Sequence, residues 1–432
     1  MKKLLFTFCL VALSTSLLWA DDIIYCTPYG ANYAANANAG ISWNTALSPI
    51  GVVDYLNNPN FCRIRTNPGV LTIYLLKGDY YDELVLNGTT VTDALNRASI
   101  SNIHIYGSCS GSSPVEFPNQ RDFENGRTYF HAGASGNCPL WIDFAPHTGG
   151  NVCIVDGIWF DTYDGNYYQS INDYAMCLVG GHYFISHCTV QDFYTTAPLL
   201  FLEGGNETFH IVNSVFAKDK AKHFLEAFCN LQIINSTIAD IDLLDELIGR
   251  TIAHNMYRVD NTIIYNCLNY NNYYNEPFDI RNCIVETYNS SWMIDNGNYW
   301  NTDPQFTGYP TAPYSCDAYS VASDNGYYAD LTALAPYLPF TVILFDAGNH
   351  PRFEDLLFTH LDIGAYQHYS GGNYYYQNAY NPNPMMAPQQ NRESAGPSVF
   401  GNDNGFIYNL LGQPVDDTYH GIVIRNGQKM LQ

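Results

Sequence analysis

From residue 153 to residue 286 the chain alternates short apolar runs with single polar positions, as in "FHIVNSVF" at 209–216 and "LQIINSTI" at 231–238. The same phrase recurs as "CIVDGIWF" at 153, "FISHCTVQ" at 184, "RVDNTIIY" at 258 and "DIRNCIVE" at 279. Aligning Gly157, His187, Asn213, Asn235, Asn261 and Asn282 gives intervals of 30, 26, 22, 26 and 21 residues. An irregular period of this size predicts stacked coils whose loops absorb the differences in length. Each run alternates with period two and is rich in Ile, Val, Thr and Phe, so the coils are built of strands. Helical periodicity is scarce, and "LLDELIGRTIAH" at 243–254 is its best candidate. Stacking buries the inward residues as one column, and an Asn at the same turn of each coil can bond to its copies above and below. The repeated Asn therefore reads as a turn ladder and needs no catalytic explanation.

Earlier segments extend the pattern. "LTIYLLKGDYYDELVLNG" at 71–88 has a strand followed by a Gly-x-Tyr turn, and "ISNIHIYGSCSG" at 100–111 reads as the next coil. Further on come "DPQF" at 303–306, "FDAGNH" at 345–350 and "LDIGAYQ" at 361–367. In order and content these segments, over residues 65–368, resemble the right-handed parallel β-helix proteins of the pectate-lyase-like fold. The resemblance implies an all-β solenoid whose first coil begins near residue 71 and whose final strand is the "DIGAYQ" segment.

Both ends differ from this body. Residues 1–20 hold Lys2 and Lys3, an apolar run and Ala20, the order of a secretory signal peptide. The β-helix domain is then expected at 21–368, followed by a Pro/Gly/Asn-rich linker at 369–405. The last segment, 406–432, contains "YNLLGQ" and "GIVIRNGQK", two apolar alternations forming a short β unit. It resembles the carboxy-terminal sorting tails of Bacteroidota secreted proteins, which implies a secretion machinery as partner and a place outside the cell or on its outer surface.

Charge narrows the choice of partners. The chain carries 18 basic against 41 acidic residues, net -23, and loss of Lys2 and Lys3 with the signal makes it -25. Such a surface repels nucleic acid and anionic membranes, and repels polyuronates unless a cation such as calcium intervenes. Eleven cysteines remain once Cys9 is removed, with no CxxC. Cys153 and Cys283 sit in apolar runs and read as buried small residues, whereas Cys26, Cys62, Cys109 and Cys138 lie near loops and are the better disulfide candidates.

What the resemblance implies for chemistry is a lyase with calcium and a Lys or Arg base, or a hydrolase with paired aspartates. The hydrolase pattern is not followed, since "NTD" occurs only at 301–303, inside a closing motif. For a lyase the nearest match is "AKDKAKHFLEAF" at 217–228. It supplies Lys218 and Lys220, joined by Arg250 on a later coil, as base or charge clamp, with Asp219 and Glu226 as nearby carboxylates. A solvated charged loop accounts for the same residues. Asp161 and Asp164 in "DTYDGN", with nearby loop carbonyls, are candidate calcium ligands, and a turn is the better explanation of them. His182 and His210 read as surface or ladder residues. Tyrosine, 36 residues, clusters with Asn in "NYNNYYN" at 269–275 and "NYYYQNAYN" at 373–381, a composition suited to stacking on sugars. The expectation is an exported, monomeric protein that contacts extracellular polysaccharide. Two classes stand: a glycan-active enzyme, or a non-catalytic adhesin or glycan-binding module.

Overall fold

The computed structural model describes residues 22–36, 38–58, 69–86, 100–111, 121, 123, 126–133, 135–143, 151–249, 257–267, 278–286, 293–308, 312–317, 319–326, 346–348 and 361–367. It also describes four short strands of the tail between 407 and 431.

Short strands pair in parallel from coil to coil, forming a 14-stranded, a nine-stranded and a four-stranded sheet. One coil shows the circuit. The chain leaves Leu200–Val212 of the largest sheet, turns at Asn213, and enters Val215–Ala217 of the second sheet. It turns again at Lys218, passes through Lys220–Ala221 of the third sheet, and returns to the first as Leu225–Ile234. The fold is an all-β parallel β-helix.

Register explains the core. Ile24, Ile73, Ile105, Val155, Ile185, Ile211, Ile233, Val259 and Ile280 are consecutive partners across the largest sheet, and all are buried in one cluster. Period-two alternation sends this column inward, and each fully buried side chain of this kind contributes roughly 1.5–3 kcal/mol of transfer free energy. Tyr80, Phe130 and Phe160 continue the packing inside the second sheet as stacked rings 4.9 and 5.9 Å apart.

At the first turn the aligned residues share one backbone conformation. Gly157 has φ 71°, His187 50°, Asn213 50°, Asn235 49°, Asn261 47° and Asn282 52°. Asn tolerates this left-handed region better than other non-glycine residues. Its amide also joins the coils: Asn261 Nδ2 donates to Asn235 Oδ1 at 3.2 Å, and Asn282 Nδ2 donates to Asn261 Oδ1 at 3.2 Å. The following residue forms a second ladder. The amides of Cys188, Ser214, Ser236, Thr262 and Cys283 donate in turn to Ser214 Oγ, Ser236 Oγ, Thr262 Oγ1, Cys283 Sγ and Asn298 Oδ1, at 2.9–3.4 Å.

Several expectations are corrected. The ten described cysteines are all buried and free, including Cys26, Cys109 and Cys138, because their side chains enter the packed interior; Cys62 lies outside the described residues. Burial pushes the Cys109, Cys177, Cys188 and Cys267 thiols up to about 12, so they stay protonated at neutral pH. Coiling begins before residue 71, since Asp22–Ala31 pairs in parallel with Gly69–Leu76. The helical candidate at 243–254 instead contributes to Asp242–Leu243 and Ile248–Gly249, two short strands held in register with the preceding coil; its residues 250–254 lie outside the described residues. The described α-helix is Pro49–Asn57, opened by Ser48, whose Oγ accepts the Gly51 amide at 3.1 Å, with Pro49 at its first position. It buries Val52, Tyr55 and Leu56 against the first coil. No described helix is long and apolar enough to cross a membrane.

The "DIGAYQ" segment is not a closing strand. It lies across the outer surface of the second sheet, where Ala365 N donates to Thr237 Oγ1 at 3.0 Å and Gly364 N to Asn261 O at 2.8 Å. Gly364 has φ 104°, and a Cβ there would meet Ile263 Cδ1 at 2.7 Å. The "DAG" motif secures the segment, Asp346 Oδ2 accepting the Gln367 amide at 3.0 Å. The tail strands Ile407–Asn409, Pro414–Val415, Ile422–Arg425 and Gln428–Leu431 form a separate antiparallel sheet.

The ladder yields a graded test. Asn261→Leu removes two amide bonds and places a branched side chain in the left-handed region, and is expected to destabilise by about 2–4 kcal/mol. Asn261→Gly relieves the backbone while still losing the amide, so its denaturation midpoint should fall between those of Leu and wild type. A Gly variant as stable as wild type would show that the amide ladder contributes nothing.

Candidate functional site

The outward positions of the second sheet divide the molecule in two. Asp79, Tyr129, Trp159, Thr189, Val215, Thr237, Ile263 and Ile284 are successive partners along one outward column. Beside it run His131 and Asp161, and then Gln191, Ala217, Ala239 and Tyr265. In the later coils this surface is apolar, and it is covered by Ala312, Tyr314, Ile363, Ala365 and Tyr366 of the carboxy-terminal segment. In the earlier coils it is aromatic and acidic.

His131 organises that earlier surface. Its Nδ1 lies 2.7 Å from Asp161 Oδ1 and its Nε2 3.0 Å from Asp79 Oδ1, so carboxylates of the coils before and after hold both ring nitrogens. Burial works to lower the His131 pKa, but the hydrogen bonds and charges of Asp161 and Asp79 outweigh it, and the net shift is upward. A ring donating from both nitrogens has no lone pair with which to take a proton. His131 thus acts as a strut between coils, and its surroundings favour the cationic form.

Rings continue outward from this strut. Tyr81 lies 4.9 Å and Tyr163 5.7 Å from the His131 ring, Tyr168 is 5.4 Å from Tyr163, and Tyr194 is 6.1 Å from Tyr168. Tyr129 packs between His131 and Trp159, at 6.1 and 5.6 Å. Arg127 stands 5.4 Å from the Trp159 ring and donates to the Phe123 carbonyl at 3.1 Å, fixing Trp159 from the side. Tyr81 and Tyr168 are exposed, and the Asp79 side chain is 55% exposed, so the path reaches solvent. Burial first, then neighbouring carboxylates, raise the Tyr81, Tyr168 and Tyr194 phenols above their ordinary pKa, which keeps them neutral donors at neutral pH.

The residues singled out from sequence are dispersed. Lys218 is an exposed residue of the second turn, φ 57°, in the same turn position as Asp192 and Asp240. Asp219 points inward and is buried; its Oδ1 accepts the Phe193 amide at 2.9 Å, Oδ2 has no hydrogen-bond partner among the described residues, and burial pushes its carboxyl well above the usual range. Lys220 belongs to the third sheet and pairs with Asp242 at 3.2 Å across half-exposed solvent, where such a pair adds little stability. Glu226 stands on the first sheet, between Phe201 and Gly249, and Arg250 lies outside the described residues. Asp161 is spent on His131 and the Tyr163 amide, and Asp164 accepts the amides of Asn166 and Tyr167 at 2.8 and 2.9 Å and also bonds Gln169. His182 accepts the Thr208 amide at 3.2 Å, and His210 stacks on Phe184 at 4.7 Å. Both Tyr/Asn clusters, 269–275 and 373–381, lie outside the described residues.

No family model and no curated protein matches the chain. Among solved structures it is similar to the crystal structure of pectate lyase Pel9A, at 12% identity and a TM-score of 0.32, over 81% of this chain and 98% of that one. At that score the assignment of the fold rests on the strand pairing itself.

The strut predicts a pH dependence. A folded-state pKa above the free value of about 6.5 gives stability that is fully present below about pH 6.5 and is lost as pH rises through the folded pKa. His131→Gln should therefore destabilise more at pH 5.5 than at pH 9, as read by denaturant unfolding at each pH. An equal loss at both would mean that the ring is neutral.

Proposed function

We propose that the chain is an exported β-helix protein that holds extracellular polysaccharide on the aromatic and acidic face of its early coils, without cleaving it. The observation that carries this reading is the run of rings Tyr81, His131, Tyr163, Tyr168 and Tyr194, spaced 4.9–6.1 Å and drawn from successive coils. Aromatic rings offer flat apolar area with a polar edge, matched to the C–H faces and hydroxyls of sugars. Asp79, reaching solvent beside them, is an acceptor for those hydroxyls. A net charge of -23 disfavours polyuronates and favours neutral or amino sugars.

A binding role fits the local chemistry better than turnover. The imidazole of His131 on this face has both nitrogens engaged, and Lys218, Lys220, Asp219 and Glu226 leave the coils from the second turn, the interior and two different sheets. Export is supported by the signal-like order of residues 1–20 and by the sorting-like tail, whose partner is a secretion machinery. The protein acts as a monomer at the cell surface or beyond it, and no cofactor is needed for this role.

Retention of the purified mature chain on a panel of insoluble glycans tests the reading. Tyr163→Ala and Tyr168→Ala should each weaken retention about fivefold to tenfold, the loss of an aromatic contact of about 1 kcal/mol. Lys218→Ala/Lys220→Ala should leave it unchanged. In parallel, unsaturated products and new reducing ends are followed with and without calcium. Calcium-dependent products that vanish in the Lys218→Ala/Lys220→Ala protein would replace binding with a lyase.

A further inference from the structure

Among the described residues, and apart from the aromatic face, one set of side chains has the composition of a metal site. His223, Asp245 and Glu246 come from successive coils at the third turn, between the four-stranded sheet and the largest sheet, and their ligand atoms lie within 4.8 Å of one another. The spacing arises from a change in loop length. Residues 222–224 join Ala221 to Leu225 in one coil, whereas 244–247 join Leu243 to Ile248 in the next, one residue more between the same register points. The longer loop is tied to the shorter one on either side of His223: Asp245 N donates to Lys222 O, and Phe224 N donates to Leu247 O, both at 3.0 Å. The two acidic residues are thereby placed over the imidazole.

The ring itself points to a ligand. His223 is only 4% exposed, and its Nδ1 lies 3.1 Å from the Glu246 carbonyl oxygen. A carbonyl can only accept, so Nδ1 carries the proton and Nε2 of the neutral ring carries the lone pair. No described residue hydrogen-bonds that Nε2, which meets solvent at the edge of a side chain otherwise more than nine-tenths buried. Its position is confined by the next strand, since a Cβ on Gly249 would lie 2.7 Å from Nε2.

We propose that His223, Asp245 and Glu246 bind a divalent transition ion of the zinc class and staple two coils together at this edge. One imidazole nitrogen with two carboxylate oxygens suits zinc-like ions, whereas calcium and magnesium take all-oxygen shells. Three protein ligands leave a fourth coordination position for water. The site is independent of the aromatic face and of the glycan-binding reading.

The test uses the full mature chain, stripped with chelator and titrated with zinc by calorimetry, with cobalt absorbance as a second probe. The expected result is one zinc per chain with a rise in Tm that saturates at one equivalent. Asp245→Asn/Glu246→Gln, which keeps the loop length and should fold as wild type in chelator, is expected to lose affinity by more than about 100-fold, beyond the usual effect of second-shell changes. Zinc binding of the same strength in that variant would assign the ion to the general acidic surface and overturn the proposal. So would the absence of zinc binding to wild type, or a calcium affinity exceeding that for zinc.

Discussion

Everything in this molecule depends on register between coils, and register is locked at the first turn. A left-handed residue there must be tolerated sterically once per coil, and Asn meets that demand while its amide also reaches the coil beside it. The residue after it adds a backbone-to-side-chain bond in each step. Because a strand shifted by one residue would turn its apolar positions outward, the ladder and the buried column enforce each other. Coil length can then vary freely at the other turns, which is where the chain differs most from one coil to the next.

That freedom is where the chemistry resides. The inward columns repeat Ile, Val and Phe with little variation, whereas the outward positions of the second sheet change from Asp79, Tyr129 and Trp159 to Val215, Ile263 and Ile284 within one continuous sheet. One half receives the chain's own closing segment, and the other half presents rings and carboxylates. The same scaffold thus serves as a docking surface for itself and as a face toward its surroundings.

The fold was legible because its determinants are local: the alternation, the aligned Asn and the returning interval can all be read along the chain. The face was not. Asp79 and His131 are 52 residues apart and His131 and Asp161 are 30 apart, and only the lateral register makes them neighbours. "DTYDGN" stands out in the sequence, yet its aspartates are engaged by His131 and by a turn, and its tyrosine is the part that joins the ring path. The lysine-rich stretch at 218–222 drew attention by charge, but successive residues of a coil leave in different directions. The helix at Pro49–Asn57 did carry its signals, Ser48 and Pro49, in a segment too short for a helical period to stand out.

The thiols show how such a chain can change. The column after the first turn holds Cys188, Ser214, Ser236, Thr262 and Cys283, and from Ser214 onward each position needs only a short side chain whose heteroatom accepts the amide of the coil before. Cysteine, serine and threonine are interchangeable in that duty, so cysteines can be gained or lost singly by drift. Two of the ten described cysteines, Cys188 and Cys283, stand in this ladder, and there a buried thiol serves as a turn residue for which no disulfide partner need be sought.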